Sequence, residues 1–555
     1  MADIEVPVLI VGGSLVGMST ALLLGHHGIR SLAVEHHRGT AIHPRAAMIT
    51  QRTMEVLRTV GIEQIVLQKS DEQFVQDGAI MALETLAGKE LSYFIANLNE
   101  GVRDVSPSPR IFITQSLLEP LLKSRATELG AELRFSTEMI SFAEDRDGVR
   151  AKIRHRDTGE VSTVRARYMI AADGSHSKIR GLLGIRMLGH GVFSKSITIY
   201  FRGDVAPLLR GRSLSVMYVL NSVLSGFFRI EKPFTSGFLA VHWLGDPKNP
   251  VTDVSKDLTD ERAYELLRAG LGDPNSTVKI ENIMHWDATA DTAERFQKGR
   301  VFLVGDAAHV MPPSGGFGGN TGVQDAHNIA WKLALVLKGL AGPDLLATYD
   351  LERRPAAAFT VEQAYSRYVT RSAPYLKSDN MQPIENDLNI EFGYVYDSRA
   401  VIRETVDRQK NVPEGAAREG KGGGPGHENP RESKGRPGTR APHIFLQRDG
   451  RQISTLDLFD RNFTLLAGPE GNAWCDSAVA AAKQLGIEID VHRVGAKGLA
   501  DPDGAFAAAY GISPNGAVLV RPDGFVAWRA KTGEAASASE ISSALSSVLC
   551  REVSR

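Results

Sequence analysis

Gly305-Asp306-Ala307-Ala308-His309, followed by Pro312-Pro313-Ser314-Gly315-Gly316-Phe317-Gly318-Gly319-Asn320-Thr321-Gly322, is the stretch on which the fold turns. The apolar run Arg300–Gly305 reads as a buried strand that ends on an acid able to hold a polyol hydroxyl. The proline and glycine loop then lets a planar group lie against bare backbone. Beyond it, Val323, Ala326, Ala330, Leu333 and Leu337 are spaced three and four apart, as one buried helical face requires. A long helix is therefore expected from about Thr321 to Lys338, with its start at Asn320 or Thr321. Its first N–H groups and its dipole can stabilise negative charge. A merely structural loop has no need of so many glycines beside a helix N-terminus.

Upstream, the apolar run Val6–Val11 leads into Gly12-Gly13-Ser14-Leu15-Val16-Gly17, an apolar helical stretch through Leu24, and a second run, Ser31-Leu32-Ala33-Val34-Glu35. This is a strand–helix–strand unit of βαβ size. A tight glycine turn at a helix N-terminus suits a pyrophosphate, and an acid closing the next strand suits a ribose hydroxyl. The usual second glycine of such a turn is replaced here by Ser14. Between the two motifs lies Tyr168-Met169-Ile170-Ala171-Ala172-Asp173-Gly174-Ser175-His176-Ser177, a buried strand that delivers an acid and a glycine before a helix. Taken alone, Asp173-Gly174 is an everyday turn and Ser177 an everyday N-cap.

The texture changes from about residue 185 to 285, where Ser196–Phe201, Ser213–Leu220, Leu224–Ile230 and Gly237–Trp243 read as strands of an inserted antiparallel sheet. Helices are expected over Gln51–Val60 and Gln115–Leu129. Residues 410–442 are dominated by glycine, proline and charge and read as a linker or exposed loop. Beyond them, strands at Phe463–Ala467, Ile487–Val491, Ala517–Val520 and Val526–Trp528 alternate with helices at Asp476–Leu485, Gly504–Tyr510 and Ser537–Leu549. Their order, β-α-β-α-β-β-α, is the thioredoxin pattern. The expected organisation is an α/β protein. A Rossmann-like βαβ domain (1–184 and 286–409) carries the inserted sheet (185–285), and a thioredoxin-like domain (443–555) follows the linker.

The chain has 555 residues, too many for one core, with 64 basic residues against 65 acidic and a formal net charge of -1. Such balance gives no electrostatic reason to expect nucleic acid or an anionic membrane as partner. Met1-Ala2-Asp3-Ile4-Glu5 is acidic where a secretory signal is basic, and no apolar run is long enough to span a bilayer. Two cysteines cannot build a disulfide framework. A cytoplasmic protein is expected.

Together the three motifs resemble those of the class A FAD-dependent aromatic hydroxylases, the para-hydroxybenzoate hydroxylase fold. Pro44-Arg45-Ala46 resembles the subgroup acting on aromatic polyketides and phenols, whose relatives carry a similar C-terminal domain. The resemblance covers most of residues 1–400. It implies FAD as cofactor and NADPH or NADH as co-substrate. It places Gly12, Gly13, Ser14 and Gly17 around the pyrophosphate, Glu35 at the adenosine ribose and Arg45 along the pyrophosphate. Gln115 falls near the ribityl chain, Asp306 on a ribityl hydroxyl, and Asn320 and Thr321 at the pyrimidine edge. Asp173 falls where FAD binding meets NAD(P)H use, and Pro313 near the reaction centre.

The activity so implied is hydroxylation of a phenolic or polycyclic polyketide-type aromatic by dioxygen, through a flavin C4a-hydroperoxide. A Baeyer–Villiger or quinone-forming oxygenase on the same fold, or a non-oxygenating flavin scaffold or sensor, are the alternatives. Arg229 and His242 on the inserted sheet are candidates for activating the substrate. A small aromatic molecule and dioxygen are the expected partners, and a homodimer is compatible with the sequence. His26-His27 and His36-His37 lack a surrounding ligand set and read as surface residues, with His36 near the adenine; no metal is expected. Cys475 lacks a second thiol three residues on, where Ala478 stands, so dithiol exchange is not available. Cys550 reads as buried within an apolar helix. Accordingly, Cys475→Ser should leave substrate-dependent NAD(P)H oxidation at the wild-type rate, and a lost rate would revive a redox role.

Overall fold

The computed structural model describes residues 3–42, 48–246, 248–404 and 427–551. Its central sheet places five strands side by side in parallel: Val301–Leu303, Val161–Ala171, Ile4–Val11, Ser31–Val34 and Glu132–Arg134. Val149–His155 and Thr137–Glu144 add an antiparallel meander on the long strand Val161–Ala171. The strands at the middle are apolar on both faces, as parallel strands covered by helices must be. Helix Leu15–His26 is buried on nearly every side. It packs between the sheet and two other helices, Phe317–Leu337 and Gln115–Glu128.

Parallel register fixes where the motifs emerge. Val11 lies opposite both Val34 and Ala171, and Ala171 opposite Leu303. Glu35, Gly12, Ala172-Asp173 and Gly305-Asp306 therefore leave the sheet at one edge, within a residue or two of each other. This is the carboxyl edge, where open α/β sheets bind ligands.

The second sheet has the order His309–Val310, Lys279–Ala293, Met187–Arg202, Ser236–Leu244, Leu224–Glu231, Leu214–Leu220, Ala79–Leu83 and Glu90–Ile95. It is wider than residues 185–285, because Ala79–Leu83 and Glu90–Ile95 are recruited from the first part of the chain. Ala79–Leu83 is a short, wholly buried apolar run with no alternation, which periodicity cannot assign. Helix Asp260–Leu271 covers one face through Leu266 and Leu267 against Ile197, Ile199, Leu239 and Val241. The other face looks toward the first domain.

Four strands of the C-terminal domain lie in the order Ile489–Arg493, Phe463–Ala467, Ala517–Val520, Val526–Ala530, the first pair parallel and the rest antiparallel. This is the thioredoxin-like arrangement. The domain docks on the first through an edge-to-face contact of Trp331 and Phe463, and through Arg551 Nε donating to the Leu340 carbonyl at 2.7 Å. Residues 427–442 are irregular, as their composition implies, but not exposed throughout: Thr439 and Arg440 are buried, and Arg440 pairs with the buried Glu55. The rest of the glycine-rich run lies outside the described residues.

Three further expectations are corrected. His26 and His27 are buried rather than on the surface, because their helix end packs beneath the C-terminal domain, where His26 Nε2 meets Asp460 at 2.6 Å. Cys550 lies past the end of helix Ala538–Val548 in a left-handed conformation and is half-buried. The long helix begins at Phe317, not at Asn320 or Thr321, because Gly316 takes the left-handed conformation that starts it.

The turn itself is set by backbone contact. A Cβ on Gly17 would lie 1.9 Å from the Gly12 carbonyl oxygen, and Gly12, at φ +107°, has the Ala172 carbonyl 2.1 Å from its own Cβ position. Gly17→Ala should therefore push the helix off the sheet edge, at a cost of about 1–3 kcal/mol or more. Gly181→Ala, in helix Lys178–Leu182 with open space around it, should be neutral or stabilising. Melting temperature and FAD content of the two purified variants check this, and equal behaviour would refute it.

Candidate active site

Gly12, Gly13, Ser14 and Gly17 form the turn and first helical turn at the carboxyl edge. Ser14 is the N-cap, but its side chain does not cap the helix. Its Oγ donates to Glu119 Oε1 at 2.7 Å, and Glu119 Oε2 accepts from the Ala41 N–H at 2.6 Å. Burial pushes the Glu119 carboxyl above its ordinary range, against those two hydrogen bonds. Glu119 is thus what turns Ser14 away in a place that usually holds glycine. No local pattern marks it, since it comes from a helix 105 residues away.

Glu35 is buried beside the turn. Its Oε2 accepts from the Gly13 N–H at 2.7 Å, and its Oε1 from the His37 N–H at 2.8 Å and the His37 ring at 2.7 Å. With His36 Nδ1 at 3.0 Å, the three side chains form a close group. Both imidazoles are exposed and the one carboxylate is already engaged.

Asp173 stands half-buried at the same edge, where it binds its own helix: Oδ1 accepts from Ser177 Oγ at 2.6 Å and Oδ2 from the Ile179 N–H at 3.1 Å. Ser177 caps that helix by accepting from the Arg180 N–H. Asp306 is exposed in the turn Gly305–Ala307, and Pro313 is exposed in the loop that follows. Gln115 is the first residue of helix Gln115–Glu128 and half-buried. Arg45 lies outside the described residues.

The helix start at Phe317 moves the available donors. Asn320 now sits one turn in, and its side chain is committed to protein. Nδ2 donates to the Met48 and Gly316 carbonyls at 2.9 and 2.7 Å, and Oδ1 accepts from the Thr50 N–H at 2.9 Å. Thr321 Oγ1 donates to the Phe317 carbonyl. The N–H groups without an intrahelical acceptor are those of Phe317, Gly318 and Gly319. Gly319 faces helix Leu15–His26, a Cβ there falling 2.8 Å from Leu15 Cδ2. Two helix N-termini therefore meet at the sheet edge. Neither has a side-chain cap or an acid in its first turn. Uncapped donors, bare glycine backbone and a buried ribose-type acid fit a dinucleotide that carries a pyrophosphate and an anionic ring edge.

A buried cluster holds the third motif from behind. Asp325 Oδ2 accepts from the Gly305 N–H at 3.1 Å and from His309 Nε2 at 2.7 Å, while Oδ1 accepts from Arg353 Nε at 2.8 Å. Burial opposes ionisation of Asp325, but His309 and Arg353 outweigh it and hold the carboxyl below its ordinary range. Single residues 16 to 28 positions apart give no sequence signal for this cluster.

Facing this edge is the open face of the second sheet. Strand alternation puts Tyr200, Tyr218, Phe227, Phe238, His242 and Trp286 there, with neighbouring ring centroids 5.7 to 5.9 Å apart. Tyr368 of helix Thr348–Ser372 closes over His242 at 5.2 Å. His242 is 1% exposed, its Nδ1 has no partner among the described residues, and burial lowers its pKa to about 4. Arg229, opposite Phe238 on the same face, is 3% exposed and sandwiched by Phe112 and Phe74 at 3.7 and 4.5 Å. Its Nε and Nη2 find no acceptor among the described residues. Burial lowers its pKa to about 9, with Glu231 opposing, so it keeps its charge at neutral pH.

A dinucleotide edge built from three strand ends, facing an aromatic-lined sheet, defines a flavoprotein oxygenase. Residues 5–364 match the family described as FAD binding domain, and residues 434–551 the aromatic-ring hydroxylase C-terminal family. The chain belongs to the FAD-dependent aromatic-ring hydroxylases and is a monooxygenase that uses FAD. It is 52% identical to a 4-methyl-5-nitrocatechol 5-monooxygenase of a Burkholderia species, over 99% of this chain and 98% of that one. It is 39% identical to the tetracenomycin A2 monooxygenase-dioxygenase of Streptomyces glaucescens, over 99% and 98% of the two. Among solved structures, aklavinone-11 hydroxylase in ternary complex with FAD and aklavinone superposes with a TM-score of 0.90 at 35% identity, covering 99% of this chain and 100% of that one. Among the described residues no helix is long and apolar enough to cross a membrane.

Asp306→Ala should weaken FAD retention by about 1.5–3 kcal/mol, the worth of a charge-assisted hydrogen bond. Titration of FAD-stripped protein with FAD measures it, and unchanged affinity would remove Asp306 from the binding set.

Proposed function

We propose that the protein hydroxylates a monocyclic phenol or catechol of raised acidity, held against the aromatic sheet face, with NAD(P)H as reductant and dioxygen as co-substrate. FAD would be held by Gly12, Gly13, Ser14 and Gly17 at its pyrophosphate and by Glu35 at its ribose. Gln115 and Asp306 would hold its ribityl chain, and the Gly318 and Gly319 N–H groups its anionic ring edge. When bound, it supplies the reductive activation of dioxygen and the oxygen donated to the ring.

The observation that carries the reading is a pair of buried groups on one face, Arg229 and His242, whose Nε and Nη2 and whose Nδ1 find no hydrogen-bond partner among the described residues. Buried polar groups ordinarily find partners, and a substrate can complete these two. A neutral imidazole with a pKa near 4 is too weak a base to ionise an ordinary phenol at neutral pH, though it can accept a phenol's hydrogen bond. The guanidinium, by contrast, favours a substrate that ionises on its own, such as a phenol bearing an electron-withdrawing group. Phe227, Trp286 and Tyr368 surround His242 with ring centroids 5.7, 5.8 and 5.2 Å away, so that an aromatic substrate there would meet ring faces and edges. The nitrocatechol named for the relative at 52% identity has this chemistry. The aromatic wall also excludes water from the reacting atoms, which limits unproductive loss of the activated oxygen.

With 4-methyl-5-nitrocatechol as probe, FAD-reconstituted protein should oxidise NAD(P)H faster than with polycyclic phenols and yield product labelled from oxygen-18 dioxygen. Arg229→Met should raise KM by roughly 10- to 100-fold, the loss of one charge-assisted contact. Faster turnover of polycyclic phenols, or an unlabelled product, would overturn the proposal.

A further inference from the structure

The turn Arg521-Pro522-Asp523-Gly524-Phe525 joins strands Ala517–Val520 and Val526–Ala530 of the C-terminal domain, and its charged side chains are buried against the FAD-binding domain. Arg521 binds Glu352 with two donors, Nη1 to Oε1 at 2.6 Å and Nη2 to Oε2 at 2.9 Å. It binds Asp523 of its own turn as well, Nε to Oδ1 at 2.9 Å. Glu352 also accepts from Lys332 Nζ at 2.8 Å, Asn328 Nδ2 at 2.7 Å and Ser398 Oγ at 2.7 Å. On the other side of the turn, the Asp523 carbonyl accepts from Arg52 Nη2 at 2.5 Å.

The residue after Glu352 is Arg353, which serves the cofactor side. Its Nε reaches Asp325, the acceptor of the Gly305 N–H, and its Nη2 reaches the Thr321 carbonyl at 3.2 Å. Its Nη1 donates to Tyr396 Oη at 3.1 Å, and the Tyr396 ring stacks on Phe525 of the same turn at 4.2 Å. The turn thus meets helix Thr348–Ser372 twice, through Glu352 directly and through Tyr396 to Arg353. Adjacent residues on a helix are fixed about 100° apart, so Glu352 cannot shift without moving Arg353.

We infer that the C-terminal domain sets FAD affinity through this buried chain, with Arg521, Glu352, Tyr396 and Arg353 as positioning residues for the Gly305 turn and the helix start at Phe317. None of the four needs to touch the cofactor. Breaking one partner leaves an uncompensated buried charge, which the network relieves only by moving. The inference rests on the Gly305-Asp306 turn holding FAD.

Two variants test it. Tyr396→Phe removes only the hydroxyl that accepts from Arg353 and keeps the ring on Phe525. Arg521→Met removes the guanidinium. FAD-stripped protein is titrated with FAD, and the melting temperature of the FAD-free protein and the flavin midpoint potential are measured alongside. Each variant should raise the FAD Kd roughly 2- to 30-fold, the span of coupling through packed networks, and shift the potential. Arg399→Ala, which breaks the exposed pair with Asp344, should change neither. Should Arg521→Met fail to fold, Tyr396→Phe decides alone. An unchanged Kd in Tyr396→Phe overturns the inference whatever the melting temperature does, since a purely structural role moves melting only. An Asp306→Ala variant that binds FAD as well as the wild type would fail the underlying reading instead.

Discussion

Helix Leu15–His26 touches the sheet edge backbone to backbone, and the remainder of the cofactor site is arranged around that contact. Gly17 lies against the Gly12 carbonyl, and Val16 is wedged between Gly305 and Gly322, within 3 Å of where either would carry a Cβ. One small helix thereby fixes the distance between the first and third motifs and brings the start of helix Phe317–Leu337 alongside its own. Alanine at Gly305 or Gly322 would press on Val16 and separate elements that the chain places about 300 residues apart. The contact is steric, so it tolerates no gradual adjustment.

Behind that contact the protein buries charge rather than hydrocarbon. Asp325, Arg353, Glu352, Lys332, Arg521 and Asp523 are almost wholly inaccessible, and each carries opposite charge within hydrogen-bonding distance. Desolvating such groups costs several kcal/mol apiece, and their attraction repays this only when geometry is good. An apolar cluster of equal volume would stabilise the interface as well. It would not dictate which residue of the Arg521–Phe525 turn meets which turn of helix Thr348–Ser372. The charges fix that register, and the register fixes Arg353 against Asp325.

What the sequence revealed, and what it hid, follows from the range of the interactions. Strand–turn–helix units whose glycines act locally are legible: Phe463–Ala467 and Ala517–Val520 fall where their short apolar runs place them, and the three motifs do converge. The start of the Phe317 helix is less so, because Gly318, Gly319 and Gly322 at three of its first six positions mask the helical pattern. Ala79–Leu83 and its neighbour Glu90–Ile95 join a sheet whose remaining strands begin about 100 residues later, at Met187, and no local property announces that. Glu119, Asp325 and Arg353 are invisible for the same reason: each acts on a motif from another element, as a single polar residue inside an otherwise ordinary helix.

A common electrostatic rule links the cofactor edge to the aromatic wall. At the edge, neither converging helix carries an acid in its first turn, and burial makes Glu119, which holds the Ser14 hydroxyl, harder to ionise. At the wall, burial strips His242 of its proton while Arg229 keeps its charge. The acids that do stand at the edge include Glu35, held by the Gly13 N–H, and Asp173, held by Ser177 and the Ile179 N–H, while on the sheet face Arg229 Nε and Nη2 find no acceptor among the described residues. Asp325, Glu352 and Asp523 lie behind the site, in pairs with Arg353, Lys332 and Arg521. Because those pairs are mutually neutral, they add little net charge behind the helix N-termini at the carboxyl edge.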